Sequence, residues 1–291
     1  MKEAVIGFIG AGNMASSIIR GLIEAGKEPS SIFATDIDES KLESLVEETG
    51  IRAASTGEIC TFAEVLVLAV KPQTMRVVCI EIANIGATHL MISVAAGVRT
   101  AQLEQWLNGG AAIVRCMPNT PALIGEGITG LFANKLVNKR QKELAQSIMD
   151  AVGLTVWLSN EKDIDTVTAL SGSGPAYFFL LMEAMQEVAQ ELGLEQEVAE
   201  NLVCQTAIGA SQLARKTEDS AVVLRKKVTS PGGTTEKAIS EFEDGNFRGL
   251  VRNALIAAKD RSIELSEDLS CLLYTSPSPR DRTRSRMPSS A

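Results

Sequence analysis

The first 158 residues alternate short apolar strands with amphipathic helices, and this alternation limits the fold more than any other feature of the chain. Branched apolar runs predict strands over residues 5–9, 31–35, 65–70, 90–94 and 112–115. Helical spacing of apolar residues lies between them, over 14–25, 39–48, 73–83 and 101–107. Most of these strands are apolar on both faces, which is typical of a parallel sheet covered by helices. The pattern predicts a doubly wound α/β domain, extended by strands near 127–132 and 155–158 and a helix over 139–152.

The pattern of the sequence changes after about Asn160, where the runs of β-branched residues end. Long amphipathic segments follow at 164–170, 176–192, 195–215 and 248–267, and they predict an all-helical domain. We therefore expect a first domain over 1–159 and a helical domain over 160–270. Helices of this length have more apolar surface than so small a domain can cover, which favours dimerisation.

The last residues, 271–291, differ from both domains. They hold three of the nine prolines, five serines, four arginines and one acidic residue, without helical periodicity. Such a segment cannot bury enough apolar surface to offset its ordering entropy. We predict a disordered tail that is not part of the native fold.

Charge and aromatic content exclude a nucleic-acid-binding class. The chain of 291 residues has a formal net charge of −8, and only 4% of its residues are aromatic. It therefore lacks both the broad basic surface that binds phosphate backbones and the aromatic platforms that stack bases. No uncharged apolar run approaches the roughly 18 residues of a membrane span.

Cysteine and histidine content argue against a metal site. His89 is the single histidine, and no C-x-x-C pair occurs among the cysteines, which are Cys60, Cys79, Cys116, Cys204 and Cys271. A structural zinc site needs four clustered nitrogen or sulfur ligands. Scattered free thiols fit a reducing cytoplasm better than a secreted disulfide scaffold.

A glycine-rich turn follows the first predicted strand and opens the first helix. Its sequence is G-x-G-x-x-A, made of Gly10, Ala11, Gly12, Asn13, Met14 and Ala15. Gly10 permits the tight turn, Gly12 lets a pyrophosphate approach the backbone, and Ala15 keeps the helix close to the sheet. The unpaired amides at the helix start would face the anion. In this context the motif predicts dinucleotide binding.

Asp36 ends the second predicted strand, near the position that contacts the adenosine ribose. A carboxylate there can accept hydrogen bonds from the two ribose hydroxyls. It would repel a 2′-phosphate by roughly 4 kcal/mol at 4 Å and an effective dielectric constant near 20, which favours NAD over NADP. Alternatively, Asp36 turns outward and joins Asp38, Glu39 and Ser40 in capping the next helix.

Three further turns follow strands at the carboxyl edge of the predicted sheet, where ligands of open α/β folds bind. They are Val70-Lys71-Pro72, Ala95-Ala96-Gly97 and Met117-Pro118-Asn119-Thr120-Pro121. Lys71 is either a cofactor contact or a solvated lysine at a strand end. Asn119 and Thr120 could hydrogen-bond a ligand or only their own turn.

Two segments of the helical half carry special residues. Ser171-Gly172-Ser173-Gly174-Pro175 is either a helix cap with flexible glycines or part of a site. In Ser230-Pro231-Gly232-Gly233-Thr234-Thr235, Ser230 can cap a helix and Pro231 fits its first turn. The glycines leave amides bare beside two hydroxyls, a cradle for a small carboxylate, and they cost about 1 kcal/mol each in helix propensity. A plain helix start would not need them.

Taken together, these segments closely resemble the bacterial pyrroline-5-carboxylate reductases over about residues 3–268. The resemblance implies a Rossmann-like domain followed by a helical dimerisation domain, a cytoplasmic homodimer or an assembly of dimers, and the last step of proline synthesis. In that step a hydride passes from NADPH or NADH to C5 of the cyclic imine 1-pyrroline-5-carboxylate, giving L-proline.

The resemblance also implies the site residues. Cofactor contacts fall on Gly10, Ala11, Gly12, Asn13, Met14, Ala15, Asp36, Thr56, Val70, Lys71, Pro72, Ala95, Ala96 and Gly97. Thr56 stands where relatives often carry an asparagine near the adenosine. Substrate contacts fall on Glu161, Gly232, Gly233, Thr234 and Thr235, and Thr235 matches the threonine that hydrogen-bonds the ring nitrogen and is the expected catalytic residue.

The residues themselves favour catalysis by positioning. Reducing an imine needs a held hydride donor, a grip on the carboxylate and a proton on nitrogen, and a substrate bound as the iminium supplies that proton. His89 is predicted at the sheet edge opposite the ligands and is poorly placed as a general acid.

Two alternatives remain at this stage. A β-hydroxyacid dehydrogenase would use a helical lysine motif that the segment with Lys216, Lys226 and Lys227 lacks. A non-catalytic redox sensor would need no carboxylate cradle.

Overall fold

The computed structural model describes residues 4–85 and 89–271. Backbone contacts divide the chain into two compact units. The first contains the chain up to Gly172 and again from Lys259, and the second is Ser173–Ala258. The predicted limits 1–159 and 160–270 stay a prediction, and residues 272–291 of the predicted tail lie outside the described residues.

An eight-stranded sheet forms the centre of the first unit. The strand order is β3-β2-β1-β4-β5-β6-β7-β8, and every pairing is parallel except β6 with β7. The strands are β1 Ile6–Ile9, β2 Ile32–Thr35, β3 Arg52–Ala53, β4 Val65–Leu68, β5 Leu90–Ser93, β6 Ala112–Met117, β7 Gly127–Ala133 and β8 Gly153–Trp157. The predicted Rossmann-like fold is confirmed, with one antiparallel pairing that the sequence pattern did not reveal.

The helices of the first unit connect and cover these strands. They are α1 Asn13–Glu24, α2 Glu39–Thr49, α3 Thr56–Phe62, α4 Pro72–Ile85, α5 Thr100–Trp106, α6 Lys139–Met149 and α7 Asp163–Val167. The helix predicted over 139–152 ends its α-helical part at Met149 and finishes as a short 3-10 turn, Asp150–Val152. The segment predicted as 164–170 passes from α7 into a π-helical turn, Thr168–Gly172.

Strands buried on both faces explain why the sheet has two apolar cores. Within β4, Val65 and Val67 belong to one core, whereas Leu66 and Leu68 belong to the other, since side chains alternate along a strand. All four are fully buried. The continuous apolar runs of the sequence therefore correspond to strands that contact a helical layer on each side.

Among the strands and α-helices described for the first unit, β3 and α3 have no counterpart in the prediction. Strand β3 has only two residues, both exposed, so no apolar run marks it. Helix α3 has seven residues, and its signal was a capping box in which Ser55 and Glu58 satisfy each other's backbone amides.

The second unit is entirely helical. It contains α8 Gly174–Glu191, α9 Gln196–Lys216, α10 Ala221–Lys227, α11 Thr234–Asp244 and the first half of α12 Phe247–Cys271. Helix α10 was not predicted, and for α11 the sequence predicted only a helix start near Ser230. Large apolar side chains of α8 are exposed in the single chain, among them Phe178, Phe179 and Leu180, as expected of a surface that another chain covers.

Within the described ranges 4–85 and 89–271, no helix has both the length and the apolar character that a membrane span requires.

Candidate functional site

The glycine-rich turn after β1 has the geometry that dinucleotide binding requires. Gly10 has a φ of +104°, and its amide donates to the Thr35 carbonyl at 2.8 Å. A Cβ at Gly10 would lie 2.7 Å from the Ala69 carbonyl oxygen, so only glycine fits there without a backbone shift. Gly12 caps α1 without a side-chain hydrogen bond, and a Cβ added to it would meet no atom within 4 Å. A pyrophosphate therefore fits beside Gly12, at the positive end of α1.

Asp36 lies against this turn. Its Oδ2 accepts a hydrogen bond from the Ala11 amide at 2.6 Å, and its Oδ1 accepts one from the Asp38 amide at 2.9 Å. Asp38, not Asp36, caps α2 through the Lys41 amide. The Asp38 carboxylate also accepts hydrogen bonds from the side chains of Ser40 and Lys41. These bonds, the one from Ser40 most strongly, lower the pKa of the Asp38 carboxyl to about 2. The outward-facing alternative for Asp36 is therefore wrong.

Two more turns lie beside the glycine-rich turn because β4 and β5 follow β1 in the sheet. Val70 and Lys71 follow β4, Lys71 is exposed, and Pro72 is the first residue of α4. After β5, Ala95 is buried, Ala96 is exposed and Gly97 has a φ of +76°. Thr56 is half-buried at the first position of α3. The carboxyl ends of three adjacent parallel strands thus meet at one edge, as predicted.

Glu161 is held within the first unit. Its Oε1 accepts from the Thr100 amide at 2.7 Å and from Arg115 Nη1 at 3.0 Å, and its Oε2 accepts from the Thr100 hydroxyl at 2.8 Å. Arg115 is only 2% exposed, and this burial lowers the pKa of its guanidinium while Glu161 opposes the shift. Since a carboxylate offers about four acceptor positions, roughly one remains for another donor.

The predicted carboxylate cradle lies in the second unit, at the start of α11. The helix begins at Thr234 with Gly233 as its cap, so the predicted cap by Ser230 is wrong and Pro231 lies outside the helix. The Ser230 carbonyl instead accepts from the Gly233 amide at 3.0 Å. Gly232 has a φ of +70°, which a β-carbon disfavours.

Two amides of this turn already have partners, those of Gly232 and Gly233. The Gly232 amide donates to Glu236 Oε2 at 2.7 Å, so it is not bare as predicted. Thr234 and Thr235 occupy the first two helical positions, where backbone amides have no intrahelical acceptor. Thr235 is half-buried and Thr234 is exposed. The turn thus offers amides and hydroxyls, the donor set that suits a small carboxylate.

Comparison with known proteins identifies the family. A family model described as pyrroline-5-carboxylate reductase dimerisation matches residues 161–265, and one described as NADP oxidoreductase, coenzyme F420-dependent, matches residues 5–97. The pyrroline-5-carboxylate reductase of Pseudomonas aeruginosa is 48% identical over 271 residues, which are 92% of this chain and 99% of the relative. The chain belongs to the pyrroline-5-carboxylate reductase family.

Solved structures agree with this assignment. The pyrroline-5-carboxylate reductase from Coxiella burnetii is similar with a TM-score of 0.87 and 50% identity, over 90% of this chain and 98% of that one. The Plasmodium falciparum pyrroline carboxylate reductase with NADP bound has a TM-score of 0.80 and 30% identity, over 91% and 99% of the two chains.

Two segments for which the sequence left alternatives open are hydrogen-bonded to each other. Asn119 Nδ2 donates to the Ser171 carbonyl at 3.1 Å, and Asn119 Oδ1 accepts from the Ile128 amide at 2.9 Å. Asn119 therefore ties its own turn to β7 and to the π-helical turn. Ser173 precedes α8 without a side-chain cap.

Sequence reasoning missed Arg115 and Thr100, the partners of Glu161. The available signal was Arg115 itself, because an arginine within an apolar strand must find a carboxylate when the strand is buried. His89 precedes β5, so it lies at the amino end of that strand, away from the glycine-rich turn, and its Nε2 is 2.9 Å from the Cys60 carbonyl. Among residues 4–85 and 89–271, no three His, Cys, Asp or Glu side chains are grouped to hold a metal ion.

We expect Glu161→Gln to lower the free energy of unfolding by about 2–3 kcal/mol, because it leaves the buried Arg115 guanidinium without its paired charge. Chemical denaturation measures the change. The matched control is Glu143→Gln, which breaks an exposed pair with Lys139 at 3.9 Å and should cost less than about 0.5 kcal/mol. Equal losses in the two variants would contradict the role given to Glu161.

Proposed function

We propose that this chain reduces 1-pyrroline-5-carboxylate to L-proline with NADH or NADPH. The observation that carries the proposal is the glycine-rich turn and Asp36 at the carboxyl edge of the sheet, in a chain of the pyrroline-5-carboxylate reductase family. The reduced nicotinamide supplies a hydride when bound. The hydride adds to C5, the C=N π electrons move to nitrogen, and the ring nitrogen keeps the proton that it brings as the iminium.

The proposed cofactor contacts are those implied by the family resemblance. Gly10 and Gly12 let the pyrophosphate reach the backbone, and Ala11, Asn13, Met14 and Ala15 complete the turn. Asp36 and Thr56 bind the adenosine end. At the nicotinamide end the proposed contacts are Val70, Lys71, Pro72, Ala95, Ala96 and Gly97. The small side chains after β5 suit this role because a flat ring can lie directly against the backbone.

The proposed substrate contacts grip the carboxylate and orient the ring. The carboxylate lies against Gly232 and Gly233 and is bound by the backbone amides and hydroxyls of Thr234 and Thr235, a role supported by the open helix start of α11. The Thr235 hydroxyl oxygen accepts a hydrogen bond from the iminium N–H, which makes Thr235 the proposed catalytic residue. Glu161 contributes through the acceptor position that its own contacts leave open.

We also propose a cytoplasmic homo-oligomer, a dimer or an assembly of dimers. The dimerisation model matched by residues 161–265 and the exposed apolar side chains of α8 support the pairing. The free, scattered cysteines support a reducing compartment.

The decisive experiment measures loss of absorbance from NADH or NADPH in the presence of 1-pyrroline-5-carboxylate. We expect oxidation that depends on the imine and yields proline in equal amount. Reactions with a 3-hydroxy acid and the oxidised cofactor test the dehydrogenase alternative. If folded protein binds a reduced cofactor but oxidises none of it with the imine, the proposal fails, and if it also leaves the 3-hydroxy acid unchanged, the chain is a sensor.

A further inference from the structure

The carboxylate of Asp36 is held in one orientation by the backbone around it. The Ala11 amide fixes Oδ2 and the Asp38 amide fixes Oδ1, at 2.6 and 2.9 Å. The glycine-rich turn is in turn tied to β2, because the Gly10 amide donates to the Thr35 carbonyl. Asp36 therefore cannot rotate away from a bound ligand without losing hydrogen bonds to two segments.

In this orientation the Asp36 carboxylate can still accept hydrogen bonds from two neighbouring hydroxyls of a ligand. Each carboxylate oxygen offers about two acceptor positions, and one of the two on each oxygen is used by a backbone amide. The carboxyl end of β2, beside the pyrophosphate turn, is where the adenosine ribose lies in folds of this class. The 2′- and 3′-hydroxyls of NADH can both donate to Asp36.

A 2′-phosphate at the same position would face negative charge, with no cation free to bind it among residues 36–41. Residues 36–41 contain Asp36, Asp38 and Glu39 against one cation, Lys41. The Lys41 ammonium lies 2.9 Å from Asp38 Oδ2, so its charge is already compensated. Arg52, on the neighbouring strand β3, stacks over the ring of Phe33 at 5.7 Å. A site for the 2′-phosphate instead needs an arginine or lysine directed at that group.

We propose that Asp36 makes NADH the preferred cofactor of this chain and disfavours NADPH through its fixed negative charge. A preference in kcat/KM rests on the proposed function, because it requires reduction of the imine. A preference in binding affinity for the two cofactors does not.

The test begins with binding of each reduced cofactor to the full chain, without the imine, by isothermal titration calorimetry. We expect NADH to bind about ten- to a hundredfold tighter than NADPH, the effect of hydrogen bonds to a charged acceptor. The same ratio should appear in kcat/KM when the imine is reduced. Equal binding of the two cofactors, or tighter binding of NADPH, would overturn the inference.

Variants of Asp36 and of a neighbouring acidic residue test whether Asp36 is the residue that sets the ratio of NADH to NADPH affinity. Asp36→Asn and Asp36→Ser should weaken NADH binding and strengthen NADPH binding, so that the ratio falls to about one. The control, Glu39→Gln, removes a nearby charge but leaves the Lys41–Asp38 pair in place, and should retain the NADH preference. An unchanged ratio in both Asp36 variants, with thermal unfolding as in the parent chain, would show that another residue selects the cofactor.

The binding and kinetic measurements distinguish failure of the inference from failure of the proposed function. A preference for NADH in calorimetry without turnover of the imine would refute the proposed function and leave the inference standing. Turnover of the imine with an NADPH preference would do the reverse.

Discussion

Gly12→Ala is expected to weaken binding of the reduced cofactor about a hundredfold while hardly changing the stability of the fold. The new methyl group would meet no protein atom within 4 Å, and the backbone at Gly12, with φ −70° and ψ 178°, suits alanine. It would, however, occupy the space through which a pyrophosphate approaches the start of α1. Alanine as a helix cap costs at most about 1 kcal/mol relative to glycine.

The matched comparison is Gly10→Ala, two positions earlier in the same turn. There the methyl group would lie 2.7 Å from the Ala69 carbonyl oxygen, at a φ of +104°, so the backbone itself must move. We expect a clear loss of thermal stability in this variant together with the loss of cofactor binding. Calorimetric titration and thermal unfolding of both variants separate the two effects. If Gly12→Ala binds the cofactor like the parent chain, the turn does not hold a pyrophosphate.

Thr235→Ala is expected to lower kcat for imine reduction about a hundredfold, with little change in the affinity for the cofactor. The reason is that the hydroxyl oxygen is proposed to orient the iminium through its N–H, and alanine removes that acceptor while retaining a helix former. Thr235 is the second residue of α11, where the first turn is set mainly by the Gly233 cap and the Glu236 contact. We therefore expect thermal unfolding to remain near that of the parent chain.

Thr235→Ser and Thr235→Val provide the controls. Serine keeps the hydroxyl and should retain most of the turnover, whereas valine keeps the shape without the oxygen and should resemble alanine. Steady-state assays at saturating cofactor measure kcat and the KM for the imine separately. Valine with normal turnover would rule out a hydrogen-bonding role for Thr235.

Local features of the fold followed from the sequence because their causes are local. Gly10 and Gly12 are required by backbone geometry within one turn, and the apolar runs of β1 and β4 match burial on both faces. The elements that escaped prediction are short or polar, such as β3, whose two residues are both exposed. The Ser230 cap was predicted wrongly because serine, proline and glycine are each compatible with several positions around a helix start.

For the site residues, too, the sequence indicated some positions but not the contacts made between distant parts of the chain. Asp36 was expected near the adenosine, but its orientation depends on an amide 25 positions away in the chain. Glu161 entered only through the family resemblance, and its partners Thr100 and Arg115 lie 61 and 46 positions away. No periodicity or spacing rule connects residues so far apart.

By itself, the sequence determined that this protein has a glycine-rich dinucleotide turn after its first strand, a doubly wound sheet and a helical second half. These depend on backbone freedom and on the spacing of apolar residues, which are properties of short segments. Only the tertiary structure decided that Asp36 faces the turn, that β7 runs antiparallel to β6, and that Glu161 neutralises a buried arginine. Each of these is a hydrogen-bonding choice between distant segments, and it is made only when folding removes the competing water.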